Sequence, residues 1–240
     1  MRKKLNYIFI YDINTSGGLG TMESDERLKK IAIIEIAGEL FVENGFQKTT
    51  VRQICKKAGV NLNAVNYYFG SKMKLYMEVL RYYYEIGLNK YPDDRGIKKS
   101  DPPEQKMRFY IHSIMMRMFE EGSPTWFYKL VAREYTEPTD VEDILIKEFM
   151  RPSYAMLASI IEDILGEKAT EKTAYLCAMS IIGQCLYFRN SPQIASRLLE
   201  NKKFDKKEIL EIEKHIYVFS LSAVTYYMKI NSLKTTEYFN

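Results

Sequence analysis

Between Asn44 and Met77 the chain carries no aspartate or glutamate, yet Lys48, Arg52, Lys56, Lys57, Lys72 and Lys74 all lie there. Inside this one-sign block stand Asn61, Leu62, Asn63, Asn66 and Tyr67. An asparagine amide can pair bidentately with an adenine edge, an exposed leucine can touch a thymine methyl, and hydroxyl or cationic groups meet phosphates. The chemistry on offer is recognition of a nucleic-acid duplex rather than bond-making. Leu62, Asn63, Asn66 and Tyr67 are the candidates for the base-facing side, Asn61 opens the segment that carries them, and Thr50, Arg52, Tyr67 and Lys72 are the candidates for its edges.

Such side chains need a rigid mount, and the surrounding sequence provides helix signals. From Ser24, Asp25 and Glu26 suit the positive end of a helix dipole, and Ile33, Ile36, Ala37, Leu40 and Phe41 recur at helical spacing. Asn44-Gly45 closes this helix, since glycine accepts the left-handed C′ conformation. A second helix is predicted from Thr50 as cap to Lys57, and a third from Asn61 to just before Gly70. Ile54, Cys55, Ala58, Val65 and Phe69 form their inward face. Gly59 permits the sharp turn between them, which is helix-turn-helix geometry. Ser71 caps a fourth, long helix with Leu75, Val79, Leu80 and Tyr83 on one stripe.

The rest of the chain is also predicted to be helical. The stretch Pro92 to Pro103 reads as a linker or surface loop. Helices follow near 104–121, 124–136, 140–165, 170–189 and 206–230, with a Thr139/Glu142 capping box before the third and Pro152 kinking it. The expected fold class is all-α: a three-helix helix-turn-helix domain over 22–72 and a helical ligand-binding and dimerisation domain over 73–240. Residues 1–21 are set apart by Tyr7-Ile8-Phe9-Ile10-Tyr11 and a Gly17-Gly18-Leu19-Gly20 run, and Met22 reads as a second start signal. They are expected to be a dispensable extension.

Composition narrows the function classes. The formal net charge is only +4, so its distribution matters more than its size. No run reaches the roughly 20 apolar residues of a membrane span, and the apolar run at 7–11 is too short for a secretory core, so a cytoplasmic protein is expected. Cys55, Cys177 and Cys185 form no CxxC pair and are expected to be buried thiols, not metal ligands. His112 and His215 lack carboxylate partners at fixed spacing, and no phosphate loop, GxSxG or HExxH occurs. Neither catalysis nor a cofactor is expected. A helical scaffold whose basic N-terminal part meets RNA or a protein is the alternative reading.

Two further surfaces are expected. Tyr110, His112, Met115, Phe119, Trp126, Phe127, Arg133, Met156 and Gln184 supply the bulky lining and few polar groups of a pocket for a small, largely apolar molecule. Ile209, Ile212, Ile216, Phe219 and Ala223, with the small-residue stripe Ala174, Ala178, Ile181 and Cys185, are expected to build a four-helix homodimer interface.

Leu40-Phe41, Asn44-Gly45-Phe46, Thr50, Ile54, Ala58-Gly59-Val60 and Tyr67-Tyr68-Phe69-Gly70-Ser71-Lys72 together resemble the DNA-binding domain of the TetR family over about residues 24–76. Asn61, Asn66 and Tyr68 depart from the usual Ser, Tyr and His, which bears on the operator sequence. Arg133 to Thr139 and Ser180 to Leu186 are similar to a CecR-like subgroup. The resemblance implies a dimeric regulator, usually a repressor, released from double-stranded operator DNA by a small molecule.

Overall fold

The computed structural model describes residues 24–94, 97–120, 122, 125–200 and 203–230. The extension at 1–21 and the Met22 start lie outside them. All regular elements among the described residues are helices, and the chain divides into two compact units. Of the described residues, the first comprises those within 24–90 and 122–143, and the second those within 91–120 and 144–230.

In the first unit, α1 (Ser24–Lys48) has Asp25 and Glu26 in its first turn and is kinked at Gly45, whose φ is 80°. Beyond the kink the Thr49 hydroxyl donates back to Gly45 O at 2.8 Å and Leu40 O at 3.1 Å. The turn into α2 (Val51–Ala58) is thus fixed from inside. Thr50 and Gln53 close a reciprocal capping box on α2, which ends at Gly59 with φ 66°. α3 (Leu62–Phe69) is capped by Asn61, whose side chain accepts from Ala64 N at 2.8 Å. α4 (Lys72–Lys90) follows, with the Ser71 hydroxyl accepting from Lys74 N. Ile33, Ile34, Ala37, Phe41, Ile54, Val65, Phe69, Leu75, Val79 and Leu80 are buried. They place the hydrophobic effect behind all four helices.

The segment after residue 120 returns to this unit. α6 (Trp126–Glu134) packs on α1 and α4, with Trp126 5.0 Å from the Tyr83 ring and Phe127 5.0 Å from Tyr84. The Thr139/Glu142 capping box is not formed: the Thr139 hydroxyl and amide both donate to Glu134, at 2.9 and 3.0 Å. The half-buried Glu134 carboxylate thus takes the very amide that Glu142 would have to accept from to close the box.

The second unit is built from α5 (Pro103–Phe119), α8 (Arg151–Leu165), α9 (Glu171–Asn190), the short α10 (Pro192–Leu198) and α11 (Lys206–Ile230). The start of the Pro92 to Pro103 stretch is held rather than loose. Arg117, only 2% exposed, donates to Tyr91 O at 2.7 Å and pairs with Asp93, while Ser113 donates to Pro92 O at 2.6 Å. A buried guanidinium requires such partners. The helix predicted over 140–165 begins as α7 (Glu142–Ile144), widens into a π-helix over Leu145–Met150 and tightens into α8. Pro152 lacks the N–H that an α-helix would return to Glu148, and the wider turn just before it absorbs that loss.

Candidate nucleic-acid interface

The two short helices set the reading surface. Ile54 and Cys55 on α2 and Val65 and Phe69 on α3 are buried, which turns the opposite side of each helix outward. Leu62, Asn63, Asn66 and Tyr67 are exposed, Tyr67 by 78% of its surface. Asn61 is exposed too, with its amide oxygen committed to the α3 cap. The first turn of α3, the part that enters a major groove in this geometry, therefore presents an apolar side chain beside an amide that can donate and accept.

Thr50 and Arg52 lie exposed at the start of α2, and Lys48 and Lys56 are exposed in the same acid-free block. Two cations of the block are engaged by groups of the chain itself, Lys57 at the surface and Lys72 half-buried. Lys57 pairs with Glu39 of α1 at 2.8 Å, and that bond holds its ammonium above the usual lysine range. Lys72, the expected edge contact, donates to Phe46 O at 2.9 Å and Thr49 O at 3.0 Å and lies 4.1 Å from the centre of the Phe46 ring. Burial pushes its pKa down. Its ammonium ties the α1–α2 corner to the start of α4, a role that spacing alone did not reveal.

The expected effector residues fall into both units. Trp126, Phe127 and Arg133 belong to the first, where the two aromatics face α4 and Arg133 donates to Val42 O and Glu43 O at 3.1 and 3.0 Å. Tyr110, His112, Met115, Phe119, Met156 and Gln184 belong to the second. Tyr110 and Met115 are fully buried, and the Tyr110 hydroxyl reaches Ser153. Gln184 donates to the Ser220 hydroxyl at 3.1 Å. His112 is hydrogen-bonded to Glu213 at 2.9 Å and lines a cleft of about 640 Å³ with Arg108, Phe109 and Tyr217.

The expected dimer residues separate by face. Ala174, Ala178, Ile181, Cys185, Ile209, Ile212 and Ile216 are buried within the unit's own core, whereas Phe219 and Ala223 are exposed. α9 is apolar on nearly every side, so its small-residue stripe fits an internal core as well as an interface. The face left open carries Leu176, Met179, Gly183 and Tyr187 on α9 and Val218, Phe219, Ala223 and Tyr226 on α11. A Cβ placed on Gly183 would meet nothing within 4 Å. All three cysteines are buried and unbridged.

Comparison with known proteins follows the same division. Residues 33–79 match the model of the bacterial regulatory proteins of the tetR family, and residues 103–224 match the C-terminal domain of the HTH-type transcriptional dual regulator CecR. CecR of Shigella flexneri is 25% identical over 177 residues, 70% of this chain and 78% of its own. YuxN of Bacillus subtilis, an HTH-type regulator, is 27% identical over 62% of this chain and 50% of its own. RutR of Escherichia coli K12 is 43% identical over 60 residues, a quarter of this chain and 28% of its own. Among solved structures, a regulator from Clostridium perfringens aligns with TM-score 0.62 at 22% identity, covering 80% of this chain and 97% of that one. SCO4454, a TetR-family regulator of Streptomyces coelicolor, aligns with TM-score 0.59 at 15% identity, covering 82% and 96%.

Proposed function

The chain belongs to the TetR family of transcriptional regulators, with a CecR-type C-terminal domain, and from that premise we propose that it binds an inverted-repeat operator as a homodimer and is released by a small, largely apolar effector. The observation that carries the reading is α3: a capped helix whose buried side packs on α2 and α4 and whose open side presents Leu62, Asn63, Asn66 and Tyr67. Asn63 and Asn66 read bases, and Thr50, Arg52 and Tyr67 meet phosphates. Lys72 supports the surface from behind rather than pairing with a phosphate.

A two-fold operator requires two reading heads, and the open apolar face of α9 and α11 supports a dimer. Half a dozen large apolar side chains exposed on two helices that pack together are costly in water, and Gly183 lets a facing helix approach closely. The effector site is assigned to the second unit, where the adaptable side chains of Met115, Phe119 and Met156 lie with Tyr110, His112 and Gln184. Binding there weakens operator affinity only through a difference in affinity between two states, and operator must weaken effector binding by the same factor.

The test is to sequence the DNA fragments that the purified protein retains and to measure variants on the recovered site. Asn63→Ala and Asn66→Ala are expected to cost about 1 to 3 kcal/mol on the preferred site and little on random duplex. Equal losses on both duplexes, or recovery of no inverted repeat, refutes the base-reading assignment.

A further inference from the structure

Arg133 and Glu134 are adjacent residues of opposite charge at the end of α6, and each holds a different helix of the first unit. The kink at Gly45 takes the last carbonyls of α1 away from their regular helical partners. Arg133 covers two of them with one guanidinium nitrogen, at 3.1 Å from Val42 O and 3.0 Å from Glu43 O, and a positive charge suits the negative end of a helix. Glu134 takes the Tyr76 hydroxyl of α4 at 2.7 Å on one oxygen and Thr139 on the other. Tyr76 is 1% exposed and packs on Phe41 and Phe46 at 4.9 and 5.1 Å, directly beside the α1–α2 corner. Room at this corner is limited as well. A Cβ on Gly45 would stand 3.2 Å from the Arg133 guanidinium and 2.9 Å from the Glu137 carboxylate.

We propose that Arg133 and Glu134 are positioning residues for operator reading: they touch no DNA but clamp the end of α1 to the buried side of α4. The inference rests on the operator-binding reading above. Phosphate contacts tolerate small displacements of a helix, whereas paired hydrogen bonds to base edges do not. The clamp therefore governs discrimination between sequences more than general attraction to DNA. No local pattern reveals it, because its partners lie some 60 to 90 positions away in sequence.

The experiment compares wild type, Arg133→Met, Arg133→Lys and Tyr76→Phe on the recovered operator and on random duplex of equal length. Salt titrations and far-UV ellipticity accompany each measurement. Arg133→Met keeps the aliphatic stem and loses the donors. It is expected to weaken operator binding about tenfold, within the range of coupling between separated sites, with random-duplex affinity and salt slope unchanged. Arg133→Lys, which retains one charged donor, restores part of the loss, and Tyr76→Phe shows the same operator-selective defect. Three results overturn the proposal. One is a parallel loss on both duplexes with the salt slope reduced by about 1, which makes Arg133 a phosphate contact. Another is lowered thermal stability with unchanged operator affinity per folded molecule, which makes the clamp merely structural. The third is unchanged behaviour in all three variants. If Arg133→Met does not fold, Arg133→Lys and Tyr76→Phe carry the same comparison. A wild type that prefers no inverted repeat fails the underlying reading before any variant is compared.

Discussion

Gly38→Ala is a perturbation whose sign the geometry decides. In an ordinary helix interior the change is favourable, worth about 0.5 to 1 kcal/mol from backbone entropy. Here a Cβ would fall 2.7 Å from the Tyr83 hydroxyl oxygen and 3.0 Å from its Cζ, and closer still to Cε2. The ring cannot swing away easily. Tyr83 is 2% exposed, Trp126 lies 5.0 Å from its centre and Tyr82 5.2 Å. Forcing a methyl into such a site costs about 1 to 3 kcal/mol, so the clash outweighs the helix gain and a net loss of about 1 to 2 kcal/mol is expected. Trp126 is the single tryptophan of the chain and sits in this contact, so its fluorescence in urea follows the first unit directly. With a urea dependence of about 2 kcal/mol per molar, the midpoint should fall by about 0.5 to 1 M. In a Tyr83→Leu background the same change should regain its ordinary favourable sign, a coupling between touching residues. A rise in midpoint for Gly38→Ala alone would refute the close-packed α1–α4 contact.

Phe219→Glu tests the open face of α9 and α11. Phe219 is 58% exposed, so covering it is worth about 1 kcal/mol per copy, and a buried carboxylate adds a larger penalty; dimer dissociation should strengthen at least about a hundredfold. Sedimentation that shows an unchanged dimer moves the interface elsewhere. Alkaline stability follows from buried acids that keep their protons. Burial pushes the Cys185 thiol up to about 12 from its ordinary 9.0 and raises the Tyr76 and Tyr83 phenols above their ordinary 10.0. The unfolded chain sheds these protons first, so the contribution is whole below pH 9.0 and is lost as pH rises toward 12, by up to about 1.4 kcal/mol per unit for each group. Urea midpoints should decline above pH 9.0, and Cys185→Ala should flatten the first part of that decline.

The helix-turn-helix was legible because its determinants are local. Thr50, Asn61 and Ser71 cap, Gly59 and Gly70 stop, and the apolar positions of α2 and α3 repeat within one or two turns. What escaped the sequence depends on partners far along the chain. Lys72 stands in a basic block and reads as a DNA contact until its two carbonyl acceptors are seen. Arg133 reads as a pocket group until it is found at the end of α1. On α9 the residues Ala174, Leu176, Cys177, Ala178, Met179, Ile181 and Ile182 leave only the narrow stripe of Thr173, Ser180 and Gln184 polar, so periodicity cannot choose between core and open face. Thr139 and Glu142 have capping-box spacing, yet a carboxylate five positions upstream takes the hydroxyl.

The π-helix before Pro152 has a consequence for phase. Leu145, Phe149, Leu157, Ile161 and Leu165 are all buried at steps of four or eight. Four residues overshoot an α turn by about 40°, so this spacing would drift off the core if the whole stretch were α-helical. The wider turn over Leu145–Met150 brings it back, and it lies just inside the second unit, beyond the point where the chain leaves the first. Loss of one residue there would close the stretch into ordinary helix with little change of angle, because five residues of α-helix turn about 500° and six of the wider helix turn nearly as far. A length change of one residue is thus absorbed locally at this point, and the apolar positions on either side of it keep their phase.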